Sequence, residues 1–498
     1  MDPSDPALAL ALLALLAAPV VAQCQEAELL GPGDASANYA LGLAIEGDVL
    51  VLGDPGPDAP FGGPLFSGEV EVYRHGLGGW VAAETLLAPI TGVLGFGSGV
   101  AFDEGRLLVG ASGFAFVFED SPAGFVQVDT IPSPGGYFFG LRAALDGTTA
   151  AITGAGLPGA GGGSIHFFEE DPTQGWGWEG TFYGGRDLDF GESVAVDGDY
   201  AAAGTPVIGE CCVFERSGST WTQVAILSEH GAPSFGRDVA LHGDTLVVGA
   251  PGSLLAGENP GAVFVYERID GTWIQTGRID PPVPTEGWFG RSVDFDGELV
   301  AVGDPWPFER GTVFFYRRVQ GDFELVATLN ATNDDVEGLG KSVALDGERV
   351  VAASYISDHT VVFRQPAVLN GAPTSISVAA GGVQSFELSS CTGFAGQAYL
   401  VLGSQSGTSP GVSAFGLTLP LNPDPYFLVT LNGSSASPLA GSFGSIDAAG
   451  GAAASFVLPP GSDAALVGLV LHHAFALLSA TGAELIAVSN AEPLALLP

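Results

Sequence analysis

Short apolar runs alternate with polar turns along most of the chain, with the two-residue period of β-strands. In the stretch Phe235–Pro251, two such runs, Val239–Leu241 and Leu246–Val248, flank a polar His-Gly-Asp turn, which predicts a hairpin. A two-stranded piece cannot bury both of its faces, so one copy alone would be unstable. Near-copies begin at Tyr39, Phe96, Phe139, Phe190, Phe235, Phe289 and Leu339. Repetition at this spacing predicts a propeller or a solenoid.

Each repeat has enough chain for four strands. A third strand follows a glycine, as in Gly261-Ala-Val-Phe-Val-Tyr266, and a fourth runs from an aromatic residue to an apolar one, as from Trp273 to Ile279. Only six such fourth strands follow the seven openers. We therefore expect the segment Gln25–Leu30, which stands before the first opener, to complete the blade that begins at Leu339. Closing the ring in this way removes its open strand edges.

The residues that recur in every repeat are predicted to build blades and not to bind a ligand. An aromatic residue followed by glycine lets one sheet lie close against the next. The Asp-Gly pairs, such as Asp146-Gly147 and Asp296-Gly297, suit tight turns between the first two strands. His242 takes the place of the aspartate in one of these turns, and we interpret it as a neutral substitution.

The repeated pattern Phe-Gly-x-Ser-Val-Ala-x-Asp-Gly-x-x-x-Val-Val-Gly-Ala-Pro resembles the FG-GAP repeat of integrin alpha-subunit propeller heads, and a shorter-looped form in secreted bacterial proteins. The resemblance covers residues 25–365 and implies an all-β fold, a seven-bladed β-propeller closed by the N-terminal strand. The integrin-like repeat often carries a calcium loop between its first two strands. Here that connection is cut to turns such as Val196-Asp-Gly-Asp-Tyr200, and beside Asp294 the further oxygen ligands that calcium needs are absent. We therefore expect no metal and no cofactor.

The two ends of the chain differ from the repeats. Residues 1–22 contain an apolar run that ends in Val-Val-Ala22, which predicts a secretory signal peptide, although its first residues are acidic. Residues 366–373 are interpreted as a linker. Residues 374–498 keep short alternating runs, among them Tyr399–Leu402 and Tyr426–Leu431, which predict a small antiparallel β-sandwich similar to C-terminal modules of secreted bacterial proteins. No later stretch is long enough for a membrane span.

The strongly acidic composition limits the kinds of molecule that the protein can bind. The chain has 498 residues, 15 lysines and arginines against 56 acidic residues, and a net charge of −41. Such a surface repels phosphate backbones and anionic membranes, which excludes nucleic acid and membrane insertion. The acidity is interpreted as solubility in an external medium, with a cation-dependent surface as the alternative. We expect a monomer that is secreted, periplasmic or at the cell surface.

Cysteine and histidine provide little material for catalysis. Cys211 and Cys212 are neighbours in a strand, Cys24 belongs to the closing blade and Cys391 to the C-terminal domain, so we expect mostly buried free thiols. His472-His473 lies in an apolar strand whose adjacent side chains face opposite sides, which predicts one half-buried structural histidine. No catalytic motif accompanies them, and no catalytic residue is predicted.

The candidate ligand-binding residues lie in loops. Connections from second to third strands, and from fourth strands to the next blade, emerge on one face around the central channel. They vary in length, and variable loops on a rigid scaffold are the usual place for recognition. The candidates are Asp54, Asp58, Asp187, Asp189, Glu286, Trp288, Asp304 and Trp306. The alternative is that these carboxylates only keep the loops soluble.

The leading hypothesis is an exported, non-catalytic binding or adhesion protein that recognises an extracellular protein or glycan through these loops. One alternative is a secreted glycan-active enzyme with its site at the channel mouth, although no carboxylate pair can be assigned a glycosidase separation from the sequence. The other alternative is a structural component of the cell envelope.

Overall fold

The computed structural model is built almost entirely of β-strands. It describes residues 25–31, 39–56, 67–76, 79–135, 139–154, 162–185, 189–232, 234–252, 260–282, 288–306, 310–319, 321–347, 349–355, 357–364, 367–391, 394–409, 411–414, 417–432, 438–478 and 485–498. The predicted signal peptide lies outside these ranges.

Seven four-stranded sheets form the repeats, and each of the first six is a run of four consecutive strands. Blade 1 contains β2–β5, blade 2 β6–β9, blade 3 β10–β13, blade 4 β14–β17, blade 5 β18–β21 and blade 6 β22–β25, whereas blade 7 contains β26–β28 and β1. In chain order the strands are β1 Gln25–Leu30, β2 Gly42–Glu46, β3 Val49–Asp54, β4 Glu69–Gly76, β5 Gly79–Leu87, β6 Val100–Asp103, β7 Arg106–Ala111, β8 Phe114–Glu119, β9 Val126–Pro132, β10 Phe139–Asp146, β11 Thr149–Gly154, β12 Ser164–Asp171, β13 Gly175–Tyr183, β14 Ser193–Asp197, β15 Tyr200–Thr205, β16 Glu210–Ser217, β17 Thr220–Ser228, β18 Asp238–His242, β19 Thr245–Ala250, β20 Ala262–Ile269, β21 Thr272–Ile279, β22 Ser292–Phe295, β23 Leu299–Asp304, β24 Thr312–Val319, β25 Asp322–Leu329, β26 Ser342–Asp346, β27 Arg349–Ala353 and β28 His359–Arg364. This order confirms an all-β fold with the blades of a propeller.

The N-terminal strand closes the ring, as predicted. Strand β1 pairs with β28 and becomes the outermost strand of blade 7. Side chains hold this joint as well, because Oε1 of Glu28 lies 2.8 Å from Nδ1 of His359 and accepts a hydrogen bond of 2.7 Å from the Asn333 amide. The first described strand of the chain and the last repeat therefore share one sheet.

Close contact between neighbouring blades explains why glycine and serine recur. Gly204, near the end of the second strand of blade 4, faces the carbonyl of Gly236, and a Cβ on Gly204 would lie 1.9 Å from that oxygen. Gly236 has φ +82°, a conformation that favours glycine. The serine of the motif completes the seam, since the Ser193 hydroxyl donates to the Gly236 carbonyl at 3.1 Å. In the first repeat Ala40 holds the glycine position, with φ 51° and complete burial.

The aromatic openers fill the spaces between blades. Phe235 is fully buried, and its ring lies edge-on to Phe264 and Tyr266 of the same blade at centroid distances of 5.5 and 6.1 Å. It belongs to a core that also contains Ala202 of blade 4 and Trp273 of blade 5. Complete burial of one such ring contributes about 2–3 kcal/mol, so the openers stabilise the stack of blades.

Aspartates in several of the turns between first and second strands link neighbouring blades at the face opposite the variable loops. Asp103 of blade 2 accepts a hydrogen bond of 2.6 Å from the Gly147 amide of blade 3. Asp146 accepts in the same way from Gly198, at 2.6 Å. We refer to this surface as the turn face. The aspartate that recurs in these turns therefore has a structural function, as the sequence indicated.

The C-terminal region contains two larger sheets and a small hairpin. A four-stranded sheet has the order β29-β31-β37-β35, a six-stranded sheet has the order β30-β40-β38-β32-β36 with β39 paired to β38, and β33 pairs with β34. Their strands are β29 Ala367–Ala372, β30 Ser375–Ser377, β31 Gly382–Ser390, β32 Ala398–Ser404, β33 Val412–Ala414, β34 Leu417–Leu419, β35 Leu439–Ala440, β36 Phe443–Ser445, β37 Gly451–Leu458, β38 Val470–Leu478, β39 Leu485–Val488 and β40 Glu492–Leu497.

Two sequence predictions for this region were wrong. The predicted linker contains strand β29, which pairs with β31. The described strand pairings of this region are antiparallel, as predicted, except that of β30 with β40. The run predicted as a strand at Tyr426–Leu431 lies in the helix α1, Pro425–Leu431, and a single 3₁₀ turn spans Ala464–Leu466. Asp424 caps α1 by accepting from the Phe427 amide at 2.8 Å, with proline at the first helical position, and this start signal outweighs the apolar alternation.

The contacts divide the chain into two compact units, one formed by Ala27–Val313 with Asn333–Val362, the other including Phe314–Thr332 and Phe363–Pro498. Cys211 and Cys212 are buried free thiols, as predicted, whereas Cys391 is disulfide-bonded, contrary to the prediction. Cys24 lies outside the described residues. No helix in the described part of the chain is long and apolar enough to span a membrane.

Candidate binding site at the channel mouth

The structure separates the predicted site residues into two groups and leaves three undescribed. Asp58, Asp187 and Glu286 lie outside the described residues. Asp54 and Asp304, at equivalent ends of second strands, are 3% and 6% exposed, so they do not present open carboxylates. Asp54 accepts a hydrogen bond of 2.9 Å from the Gly56 amide.

Asp189 also has a local structural role. Its carboxylate accepts a 2.5 Å hydrogen bond from the Val207 amide, which ties the connection into blade 4 to the loop after the second strand of that blade. Asp54 and Asp189 therefore stabilise loops by binding backbone amides.

The two predicted tryptophans do lie together. The rings of Trp288 and Trp306 are perpendicular, with centroids 6.1 Å apart, and both residues are partly exposed. Tyr355, which the sequence analysis missed, lies edge-on to Trp288 at 5.5 Å and is also partly exposed. We refer to these three residues as the aromatic cluster. They come from the connection into blade 6 and from the loops after the second strands of blades 6 and 7, three loops distant in sequence.

A cavity of about 400 Å³ occupies the centre of the ring, lined by the first strands of all seven blades. Its titratable lining residues are Arg142, Glu192, Arg237, Asp238, Arg291, Asp294 and Lys341. Four of the chain's 15 basic residues therefore lie around one cavity, in a protein of net charge −41. This concentration of positive charge is the main feature that the sequence analysis missed.

The cationic side chains occupy the mouth of the cavity, where the first strands begin. Arg237, Arg291 and Lys341 each follow directly the opener glycine of their repeat, and Arg142 stands one position further along. The Glu192 carboxylate is shared by two guanidinium groups, at 3.3 Å from Arg142 and 3.4 Å from Arg237. At the mouth of the cavity, the Glu192 carboxylate therefore forms ion pairs with two guanidinium groups.

Arg291 joins the cavity to the aromatic cluster. Its guanidinium carbon lies 5.8 Å from the centroid of the Trp288 ring, within the range of a cation–π contact. Its own backbone amide donates to the Trp288 carbonyl at 3.0 Å, which fixes the two residues as one turn. Within the part of the chain that the structure describes, Arg291 makes no ion pair.

The two aspartates of the cavity are occupied by backbone amides. Asp238 accepts from Val293 of the next blade at 2.9 Å, and from its own neighbour Val239 at 3.1 Å. Asp294 repeats the arrangement one blade on, accepting from Leu345 at 2.7 Å and Phe295 at 2.8 Å. Burial raises the pKa of Asp238 to about 6 and that of Asp294 to about 7, although these hydrogen bonds oppose the rise.

Lys341 is more deeply placed than the arginines. It is 9% exposed, and its ammonium group donates to the Tyr39 carbonyl at 2.8 Å, which connects blade 7 to the opener of blade 1. Burial lowers its pKa to about 8, and Arg142 lowers the pKa further, while Asp54 and Asp358 oppose the change. Lys341 therefore contributes mainly to ring closure, and the arginines provide the more accessible cations.

The remaining polar groups with chemical potential are buried. Burial raises the pKa of the Cys211 thiol and lowers the pKa of His166 to about 4 and that of His473 to about 3. His473 is fully buried with its Nε2 2.8 Å from the Tyr426 hydroxyl, whereas His472 is partly exposed, so the pair faces opposite sides of its strand as predicted. Among the described residues no group of three or more His, Cys, Asp or Glu side chains is placed to hold a metal ion.

Residues 221–266 match the model of the FG-GAP repeat. This segment runs from the last strand of blade 4 to the third strand of blade 5 and includes the Phe235–Pro251 stretch. The chain therefore contains an FG-GAP repeat. The same seam of opener glycine against second-strand glycine recurs in further blades, for example at Gly303 and Gly340. No curated protein matches the sequence.

Several solved structures are similar to this chain at low identity. A β-propeller domain from Myceliophteria thermophila is 12% identical, with 68% of this chain and 99% of that chain covered and a TM-score of 0.45. A protein from Lactobacillus plantarum is 18% identical, with 62% and 88% covered and a TM-score of 0.43. The WD40 domain of Toxoplasma gondii coronin is 10% identical, with 70% and 89% covered and a TM-score of 0.45. Because these scores are below 0.5, the fold assignment rests on the strand order described above.

Proposed function

We propose that the protein is an exported, non-catalytic binding protein whose channel mouth recognises an extracellular glycan or protein. The observation that supports this proposal is the aromatic cluster of Trp288, Trp306 and Tyr355 beside a central cavity of about 400 Å³. Perpendicular aromatic rings form a corner that accepts the flat apolar face of a sugar or of a side chain, and polar groups nearby then fix its orientation.

Export, oligomeric state and the C-terminal domain belong to the same proposal. Export follows from the predicted signal peptide of residues 1–22 and from the net charge of −41, which suits an external medium. We further propose that the two C-terminal sheets stack as a β-sandwich and that the protein acts as a monomer. The role of the sandwich as an attachment module rests on the resemblance to modules of secreted proteins.

The proposal is tested with the purified full-length chain on arrays of neutral and acidic polysaccharides and of extracellular matrix proteins. For a ligand that is retained, the Trp288→Ala variant is expected to bind at least about tenfold more weakly, because aromatic anchors dominate binding energy. Trp178→Ala is the matched control, since Trp178 is 58% exposed on the outer strand of blade 3 and lies outside the aromatic cluster. Its binding is expected to stay within twofold of the wild type.

Each result has a defined meaning. Retention by no ligand contradicts the binding function and favours the structural envelope component. Equal weakening in both tryptophan variants places the site elsewhere. If the wild type releases shortened chains from a retained polysaccharide and the Trp288→Ala variant does not, the protein is catalytic, and the alternative of a glycan-active enzyme is supported.

A further inference from the structure

Three arginines at the channel mouth, Arg142, Arg237 and Arg291, have fewer carboxylate partners among the described residues than most arginines elsewhere in the chain. Most of the described arginines outside the cavity lie beside a carboxylate, as Arg74 does beside Asp120 and Arg216 beside Asp199. At the mouth, by contrast, Arg142 and Arg237 share Glu192, and Arg291 has no ion pair among the described residues. In a chain of net charge −41, partial pairing at one place creates a local positive site in a negative field.

Asp238 offsets part of the charge of Arg142 and Arg237, and these two guanidinium groups in turn lower the pKa of its carboxyl. Asp238 and Asp294 each direct both carboxylate oxygens to backbone amides, two of which belong to the next blade. Asp294 is also further from the mouth, because it stands three residues after Arg291 and a strand rises about 3.3 Å per residue. Asp294 therefore lies deeper than Arg291, and the oxygens of both carboxylates already accept hydrogen bonds within the fold.

The arginines at the channel mouth adjoin the aromatic cluster. Arg291 lies over Trp288, which is in turn edge-on to Trp306 and Tyr355. A ligand at the mouth therefore meets three partly exposed aromatic residues and a guanidinium group that lies over the ring of one of them. A pyranose ring that carries an anionic group matches both features, since its apolar face contacts an indole and its anion receives charge-assisted hydrogen bonds from arginine. An acidic peptide has the charge but lacks the ring.

We propose that the channel mouth binds an acidic glycan, with its carboxylate or sulfate group at Arg291 and Arg237 and its sugar ring against Trp288. This inference rests on the proposed binding function and narrows its ligand class. Arg291 is the primary contact because it is accessible and beside the aromatic cluster, whereas Arg237 has part of its charge satisfied by Glu192.

The test compares two forms of one backbone by titration calorimetry with the full-length protein: polygalacturonate oligomers and their fully methyl-esterified, neutral counterparts. The acid form is expected to bind at least about tenfold more tightly than the ester, because the ester cannot accept a charge-assisted hydrogen bond. A sulfated galactan series and its desulfated form make the second arm, which identifies whether carboxylate or sulfate is the preferred anion.

Arg291→Gln is expected to lower affinity for the acid form about tenfold and to leave ester binding unchanged, whereas Arg291→Lys, which keeps the charge, restores part of the loss. Arg278→Gln is the matched control, because Arg278 is an exposed residue on the outer strand of blade 5, paired with Asp280. Urea unfolding of all three variants establishes that they are folded.

Several outcomes overturn the inference. Equal binding of acid and neutral forms, or acid binding that Arg291→Gln does not change, shows that the mouth is not an anion site. The proposed function survives in that case if some neutral ligand still depends on Trp288. If poly-glutamate binds more tightly than any acidic glycan and its binding depends on Arg291, the ligand is an acidic peptide and not an acidic glycan. If nothing binds, the proposed function itself fails.

Discussion

The two faces of the propeller use similar residues for different purposes. On the turn face, Asp103 and Asp146 bind glycine amides of the next blade, and each repeat performs nearly the same task. At the channel mouth, the residue after the opener glycine differs between blades, as Glu192 in blade 4, Arg237 in blade 5 and Arg291 in blade 6. Repetition therefore marks residues that hold the ring together, and variation at a repeated position marks those that can recognise a ligand.

The largest loss of stability should come from the seam between blades, where no functional role is expected. Gly204→Ala places a Cβ 1.9 Å from the Gly236 carbonyl, so the two blades must separate locally. We expect the free energy of unfolding to fall by about 3 kcal/mol, measured by urea denaturation. Gly180→Ala is the control, since a Cβ there meets nothing within 4 Å, and it should change stability by less than about 0.5 kcal/mol. Similar effects in the two variants would contradict the role of the seam.

The cavity aspartates should make stability depend on pH. Burial raises the pKa of Asp294 to about 7, above the value of about 3.9 in an unfolded chain. Its contribution to stability is therefore complete below pH 4 and is lost as the pH rises through about 7. Because asparagine does not ionise, the stability of Asp294→Asn relative to wild type should rise by roughly 4 kcal/mol between pH 4 and pH 8.

Urea unfolding of the wild type and Asp294→Asn at several pH values measures this difference. Asp322→Asn is the control, because Asp322 is exposed at the start of the outer strand of blade 6. Its stability relative to wild type should not vary with pH. Parallel pH profiles for the wild type and Asp294→Asn would show that Asp294 titrates normally.

The turn face should give a smaller effect. Asp103→Ala removes the carboxylate that accepts the Gly147 amide and leaves that amide to water. Because the turn is partly exposed, we expect a loss of about 1 kcal/mol in the free energy of unfolding, with ligand binding unchanged. A change in binding without a change in stability would reverse the assignment of the two faces.

The smallest effect on stability is expected at the mouth. Arg291→Gln removes one cation–π contact and, within the described residues, no ion pair, so its stability should stay within about 0.5 kcal/mol of the wild type. Thermal or urea unfolding checks this value. A loss comparable to that of Gly204→Ala would mean that Arg291 belongs to the architecture and not to recognition.

The blades were predictable because the same constraint is written seven times. Each opener is a buried apolar residue, the residue after it has a positive φ, and each hairpin needs a tight turn, so the strands, their order and the closure by β1 followed from the pattern. The mouth was not predictable in the same way. Trp288 and Trp306 could be found because tryptophan is uncommon in a variable loop, but Asp54 and Asp189, chosen with them, bind backbone amides, a use that composition does not reveal.

The arginines could not be recognised from the repeat pattern, because they occupy a position inside the repeat whose residue type differs from blade to blade. Comparison of the residue after each opener glycine would have found Arg237, Arg291 and Lys341, though not their shared cavity. The C-terminal errors have a local cause. Asp424-Pro425 is a helix start, and the strand period of Tyr426–Leu431 concealed it, while no sequence rule predicted that Cys391 would be in a disulfide.

Closure by β1 has a consequence for the order of assembly. Glu28 contacts His359 across 331 residues of chain, so the joint cannot form until the last repeat has been synthesised. Contacts that span such a separation form late, because the entropy of closing the loop must be overcome first. Until then blade 7 has an unpaired outer edge and β1 has no sheet to join. Six blades can therefore form as they emerge, whereas the ring is completed only when strand β28 of the last repeat meets the N-terminal strand β1.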